Sequence, residues 1–440
     1  MTAMKVEEGS IADLPMTRFQ IAIVVAMFFM NALDGFDVLA IAFALPGITK
    51  DWHVSPATFG VVISLGLLGT GIGSLFIAPI SDRIGRRPIV FLSLAAMTIG
   101  MLACAFANEL IMLSVGRFVT GMGVGALLPT ISALTAEYTT RRFKDFAVTM
   151  VAVGFPVGGL LGGAIASFLL VSFDWRAVFV LGTVASCVMA VVAIRFAPES
   201  VEFLLERRPA SALQRINAVM TRMHRATLAV MPAAPTTTER RSIFDVFGPT
   251  LIFVTLAITA TYALHNATLY FSVNWVPKLV VDLGVTAAGA ARISAWSSGG
   301  GVVGCLAVAF LAAKIEVRRL TITALIGACL LLAIFARMTT PSWLLTATVF
   351  LLGACLYGGQ ASLYALMTKA FPTHVRTTGA GFVTGVGRLG GILSPVVSGV
   401  LFSAGLANAS VATIMGIGSL LGAILLIVAI QAGAFKARQA

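Results

Sequence analysis

The chain has 440 residues, 58% of them hydrophobic and only 11% charged, with a formal net charge of +12. A soluble domain of this length carries about twice that charged fraction, so a water-soluble enzyme or regulator is excluded and a chain built for a bilayer is implied. The positive charge is no sign of nucleic acid, because nearly all of it lies between or at the ends of long apolar runs.

Residues 1–18 are polar and of mixed charge. They read as a cytoplasmic tail, since the first apolar segment lacks the small-residue cleavage site of a removable signal. An apolar run of about 20 residues crosses a bilayer as a helix. Twelve spans are predicted, over 19–45, 58–80, 88–107, 110–136, 146–170, 176–197, 246–272, 289–313, 319–337, 342–368, 378–402 and 410–434. Short alternating segments, the mark of a transmembrane barrel, are absent from the sequence. Of the 30 Lys and Arg, only Lys50, Arg176, Lys278, Arg292 and Arg337 fall on one predicted side, while Arg117 and Arg388 fall within spans. The remainder mark the cytoplasmic side, which puts both termini there.

Span one contains "NALDGFDVLA", with Asp34 and Asp37 three positions apart and therefore on one helix face. A charge at the bilayer centre costs about 3 kcal/mol or more, so such residues are usually functional. Span two ends in "SDRIGRRP". There Gly85 permits a tight turn, while Asp82, Arg83, Arg86 and Arg87 offer a compact set of ion pairs. Span four brings Arg117 to a depth similar to that of the two acids and ends at Glu137. Two carboxylates that face one guanidinium cannot both stay fully ionised, which suits proton capture. A purely structural ion pair is the alternative. The five cysteines all lie in predicted spans without CxxC spacing and read as buried apolar thiols.

A polar stretch over 198–245 separates six spans (19–197) from six (246–434), and 435–440 forms a second cytoplasmic tail. Within that stretch "ALQRINAVMTRMHR" reads as a short amphipathic helix on the inner membrane surface, or else as a solvated linker. At a constant offset the halves align without gaps. "ISALTAEYTTRRFK" from Ile131 lies over "LYALMTKAFPTHVR" from Leu363, and "VGGLL" from Val157 over "LGGIL" from Leu389. The halves are therefore parallel repeats, the pattern of a two-bundle transporter with its site between the bundles. No GxxxxGK[ST] loop is present, so ATP is not expected to drive it.

The repeat sets Asn266 under Asp34, Leu269 under Asp37 and Val349 under Arg117. Proton handling is thus expected in the first half and much of the substrate contact in the second. Candidates there are His265, Asn266, Tyr270, Asn274 and Trp275 of span seven, and Tyr357, Gln360 and Tyr364 of span ten. The last three share a face and could stack on a ring and hydrogen-bond a hydroxyl. Arg388, the one charged residue of span eleven, is a candidate for a bidentate carboxylate contact. Each is also a plausible helix-packing residue. Glu137 lies over Lys369, and an inner salt-bridge network fits that pair better than substrate contact.

"SDRIGRRP" resembles the G-x-L-x-D-R-x-G-R-R loop signature of the major facilitator superfamily, departing at Ala78 and Ile80. "RFVTGMGVG" resembles its R-x-x-x-G-x-G pattern, and "PESVEFL" its P-E-S-P-R-[FW]-L. The second copy of the loop, "AAKIEVRRL", has Lys314 and Val317 in place of the acid and glycine, with Glu316 as a substitute acid. Taken with "YFSVNWVPKL" and "GVGRLGGILSP", the Asp-Gly-Phe-Asp of span one is similar to the aromatic acid:proton symporter family.

The resemblance implies an all-α membrane protein with the major facilitator fold, twelve transmembrane helices in two parallel six-helix repeats. It implies proton-coupled uptake of a small organic acid, such as a hydroxybenzoate, by a monomer in the bacterial inner membrane, with Asp34, Asp37 and Arg117 coupling the proton. Asp82, Arg83, Gly85, Arg86, Arg87 and Glu137 are then gating residues; a plain positive-inside anchor is the alternative. Proton-driven efflux, or carriage of nicotinate or muconate, stays open, as does a transporter-like sensor. No cofactor, metal site or enzymatic activity is expected.

Overall fold

The computed structural model describes residues 14–231, 247–248, 251–371 and 375–431, except for the side chains at 368, 376 and 377. Its helices are α1 (Arg18–Trp52), α2 (Pro56–Ile72), α3 (Ser81–Ile84), α4 (Arg86–Ala105), α5 (Leu110–Tyr138), α6 (Lys144–Ser172) and α7 (Arg176–Phe196). Two short helices follow, α8 (Val201–Arg207) and α9 (Ala212–Arg222). Then come α10 (Ile252–Asp282), α11 (Ala287–Leu311), α12 (Val317–Phe335), α13 (Trp343–Ala370), α14 (Arg376–Ser403) and α15 (Asn408–Gln431). A π turn over Gly73–Ile77 and a 3-10 turn over Ala78–Ile80 join α2 to α3. Among the described residues, twelve helices are long and apolar enough to cross a membrane, with Pro56–Ile84 counted as one run. Among the described residues there is no strand. Helices suit hydrocarbon because every backbone hydrogen bond closes within the segment.

Helix α1 continues through Pro46 to Trp52, beyond the expected end at 45. Helix α10 begins at Ile252 and runs to Asp282, so the expected span 246–272 is set too early. The polar residues Asn274, Lys278 and Asp282 end the apolar window but not the helix, because Lys278 and Asp282 pair one turn apart at 2.6 Å. Of the five thiols expected to be buried, Cys104 and Cys329 are, Cys305 and Cys355 are half-buried, and Cys187 is exposed on α7 beside the outward-facing Val184 and Val188.

The described helices cluster into two compact units. One takes in the described residues up to Gly35, Leu68–Gly158, and those from Val180 into the central loop. In it α4 packs along α5. Helix α1 meets α6 at a seam where a Cβ at Gly35 would overlap the Phe155 carbonyl, and a Cβ at Gly158 the Ala32 carbonyl. Only glycine allows backbones this close. Asn31 fastens the seam by donating from Nδ2 to the Val151 carbonyl at 2.6 Å. The amphipathic helix of the central loop forms as α9, but it does not lie on lipid. Its apolar residues Ile216, Val219 and Met220 are buried in the unit's own core with Tyr138, Ala197 and Leu204.

The other unit takes in Phe36–Leu67, Gly159–Phe179 and the chain beyond the central loop. Here α10 packs on α14 and α15, and α11 on α13. The Phe36–Leu67 segment joins the same unit. The start of α2 meets the end of α14, where a Cβ at Gly60 would overlap the Pro395 carbonyl and Ser403 Oγ accepts from the Ala57 amide at 3.0 Å.

Candidate functional site

The polar residues of the second unit converge on three helices, α10, α13 and α14. Gln360 Nε2 donates to Tyr262 Oη at 2.7 Å. The Tyr262 hydroxyl also shares a hydrogen bond with Tyr364 Oη, 3.0 Å away. The two rings meet edge to face with centroids 5.9 Å apart. Room for the rings comes from α14, where the Tyr262 and Tyr270 rings occupy the space that side chains at Gly387 and Gly391 would fill. Arg388 and Tyr270 lie within electrostatic range of the Tyr262 phenol. Tyr357, buried against Gly301 of α11, lies near Tyr270 and is hydrogen-bonded to Ser298. Asn266 Nδ2 donates to the Gly387 carbonyl at 3.2 Å. Its Oδ1, and Gln360 Oε1, are buried without a hydrogen-bond partner among the described residues. Buried acceptors in that condition favour an O–H or N–H donor from outside the protein.

Tyr270, Tyr357, Gln360, Tyr364, Asn266 and Arg388 are thus brought together, as the sequence suggests. Tyr262 is the member missed. Four of the five tyrosines, 262, 270, 357 and 364, lie in the second half, and Tyr262 stands one helical turn before Asn266. That count and spacing were the available signal.

Of the remaining span-seven candidates, His265 and Trp275 pack against other helices, while Asn274 Oδ1 and Trp275 Nε1 are buried without a hydrogen-bond partner among the described residues. His265 is fully buried, with Nε2 2.9 Å from the Leu356 carbonyl and Nδ1 2.9 Å from Ser419 Oγ. A carbonyl only accepts, so the proton sits on Nε2 and Nδ1 accepts from the serine hydroxyl. Asn274 Nδ2 bonds the Tyr270 carbonyl of its own helix at 2.7 Å. Trp275 is fully buried with its ring 4.9 Å from that of Phe402.

In α1, Asp34 and Asp37 are both buried, as is Arg117 in α5. Three ionisable side chains have therefore left water within predicted membrane spans, which is costly wherever it occurs.

The loop between α3 and α4 is built around Glu199, a residue of the "PES" stretch that the sequence reading did not single out. The buried Glu199 Oε1 accepts from the amides of Arg86 at 2.8 Å, Arg87 at 3.2 Å and Ser200 at 2.9 Å. A carboxylate there caps the first turn of α4 and meets its positive dipole end. Arg215 pairs with Oε2 at 3.6 Å, and Tyr138 Oη donates to the Glu199 carbonyl at 2.5 Å. Arg86 forms an ion pair with Glu137 at the end of α5. Arg207 Nε donates to the Asp82 carbonyl at 3.1 Å, while the Asp82 and Arg83 side chains are exposed. In the second copy the acid is local, with Glu316 Oε1 3.5 Å from Arg318 Nε.

Gly85 is required twice over. Its φ of 105° is left-handed, and a Cβ would overlap the Glu199 carboxylate. Gly284 has a similar φ of 89° but nothing within 4 Å of its Cβ position. Strained backbone alone costs about 1–3 kcal/mol. Gly85→Ala is therefore expected to lower the apparent melting temperature more than Gly284→Ala does. Equal losses, read by differential scanning fluorimetry, would show that the Glu199 contact adds nothing.

The family model of the Major Facilitator Superfamily matches residues 27–395. The chain is 31% identical over 408 residues to the gallate transporter of Pseudomonas putida, covering 92% of this chain and 91% of that one. It is also 31% identical to the 4-hydroxybenzoate transporter PcaK of Pseudomonas aeruginosa, covering 89% and 88%. Among solved structures, the fold is similar to the inward open conformation of the xylose transporter XylE from E. coli, with a TM-score of 0.74 at 13% identity, covering 93% and 95%.

Proposed function

The chain belongs to the Major Facilitator Superfamily, among its aromatic acid transporters, and from that premise we propose that it imports a hydroxylated aromatic carboxylate together with protons. It is a multi-pass membrane transporter, not an enzyme. In the proposed setting it is a monomer of the bacterial inner membrane with both termini cytoplasmic, in keeping with its basic loops.

The observation that carries the reading is the chain Gln360–Tyr262–Tyr364 beside Arg388. Tyr270 and Tyr364 supply ring-stacking surface, and the buried Tyr262 supplies a hydroxyl behind them. Arg388 supplies a planar fork for a carboxylate. The buried oxygens of Gln360 and Asn266 accept from a ring hydroxyl. The names of the relatives, a gallate and a 4-hydroxybenzoate transporter, agree with this chemistry. Asp34 and Asp37 carry the coupling proton, and Arg117 keeps one of the acids ionised. Asp82, Arg83, Gly85, Arg86, Arg87 and Glu137 work the inner gate, around the Glu199 cap.

The test is uptake of radiolabelled 4-hydroxybenzoate by proteoliposomes with the outside made acidic. Accumulation above the equilibrium level, collapsed by a protonophore, is expected. Uptake that only equilibrates and ignores the protonophore would sink proton-coupled import.

Hydroxyl recognition has its own test. A neutral hydrogen bond contributes about 0.5–1.5 kcal/mol, and leaving a buried partner unmade costs more. Gln360→Leu and Tyr262→Phe are therefore expected to cut the preference for 4-hydroxybenzoate over benzoate by about tenfold. An unchanged ratio of the two affinities would place hydroxyl recognition elsewhere.

A further inference from the structure

Where α1 begins, the first unit holds a cavity of about 720 Å³ that the transport reading does not use. Arg18, Phe19, Arg195, Arg222 and His224 line it, drawn from the start of α1, the end of α7, and α9 with the turn after it. Arg222 is held in place from two sides. Arg222 Nη2 donates to the Arg195 carbonyl at 2.5 Å, and its guanidinium lies 4.1 Å over the Phe19 ring. The next basic residue, Arg225, donates to the Pro15 carbonyl at 2.7 Å. Among the described residues, no carboxylate pairs with Arg18, Arg195 or Arg222. Burial and the like charges of Arg195 and Arg87 push the Arg222 guanidinium below its ordinary pKa. Cations gathered without an acid form a receptor for an anion.

The apolar surroundings say which anion. Counting from Arg18 along α1, Ile21, Val25 and Phe29 recur at helical spacing, and all are exposed. Counting back from Arg195 along α7, Val191, Val188 and Val184 recur in the same way and are also exposed. Residues three, four and seven apart share one face. Two outward apolar stripes therefore start at the cavity, one on each helix. A free phosphate would use the arginines and leave the stripes idle.

We infer that this cavity holds the phosphate headgroup of an anionic phospholipid, whose acyl chains lie along the exposed stripes of α1 and α7. Arg18 and Arg195 clasp the phosphate, Arg222 closes the third side, and Phe19 holds Arg222 in position. The site is separate from the tyrosine cluster and does not depend on which acid is carried.

The experiment uses the full-length protein in an uncharged detergent. Dihexanoyl phosphatidylglycerol, dihexanoyl phosphatidylcholine and inorganic phosphate are added at equal concentrations, and the apparent melting temperature is followed, since a ligand of the folded state raises it. Phosphatidylglycerol is expected to stabilise and the other two are not. Each surface arginine contributes about 1 kcal/mol toward an anionic lipid. Arg18→Gln with Arg195→Gln should therefore weaken binding about fivefold per residue removed. Both side chains are exposed, so the unliganded melting temperature and substrate counterflow should stay as they are. Arg18→Lys with Arg195→Lys should keep most of the response. The inference is overturned if the glutamine pair responds to phosphatidylglycerol like the wild type. It is also overturned if inorganic phosphate stabilises as well as the lipid does, which would make this a soluble-anion site.

Discussion

Asp37→Asn protein is expected to lose proton-driven accumulation and to keep substrate exchange. Asp37 is the more deeply buried of the two acids in α1. An amide matches the carboxyl group in size and hydrogen-bonding capacity but cannot take up and release a proton. Substrate can then still enter and leave its site, with no proton bound to the movement. One pH unit is worth about 1.4 kcal/mol per proton, so one-proton symport sustains roughly tenfold accumulation. The variant should stay near a ratio of about one under the same gradient. Counterflow of labelled against unlabelled substrate should persist, and it separates lost coupling from lost folding. Linkage demands a reciprocal effect: if substrate raises the affinity of the acids for protons, protons raise the affinity for substrate by the same factor. In the variant, substrate affinity should therefore lose its dependence on pH. Accumulation by Asp37→Asn protein under an imposed gradient would end the assignment of Asp37, and Asp34, matched by Asn266 in the repeat, would take its place.

Arg388→Gln is expected to cost the substrate its carboxylate anchor. A hydrogen bond to a charged group contributes about 1.5–3 kcal/mol, equivalent to a loss of about 10- to 150-fold in affinity. Arg388→Lys should fall between, since an ammonium keeps the charge but cannot reproduce the planar fork. Isothermal titration with 4-hydroxybenzoate measures both. The neutral analogue 4-hydroxybenzamide supplies the control, because it should bind the wild type and Arg388→Gln with similar weakness. Unchanged affinity for the acid in Arg388→Gln would take Arg388 out of the site. Arg117, buried in α5, would then be the next candidate.

What could be read from the sequence follows the range of the interactions. Helices in lipid are specified locally, by the length of an apolar run, so the twelve spans were legible although α1 and α10 end later than hydropathy suggests. Faces within one helix were also legible, because Tyr357, Gln360 and Tyr364 fall three and four apart. Partners on other helices were not. Tyr262 meets Gln360 across 98 positions, and Glu199 meets the Arg86 amide across 113. No spacing rule reaches that far. The same limit explains His265, which looks titratable in isolation and is fixed between Ser419 and Leu356. It explains α9 as well, whose apolar stripe is as suitable for a protein core as for a membrane surface.

The cap on α4 behaves differently from an ordinary loop anchor. Three amides, those of Arg86, Arg87 and Ser200, all end on the single oxygen Oε1 of Glu199. They are not three fastenings that can be undone one after another. If that carboxylate swings away, the Arg86, Arg87 and Ser200 amides lose their acceptor together, while Arg207 on the Asp82 carbonyl, Arg86 on Glu137 and Tyr138 on the Glu199 carbonyl stay in place. The cap on α4 is therefore lost in one step, and the side-chain ties keep the loop beside the entry of the central loop after it has gone.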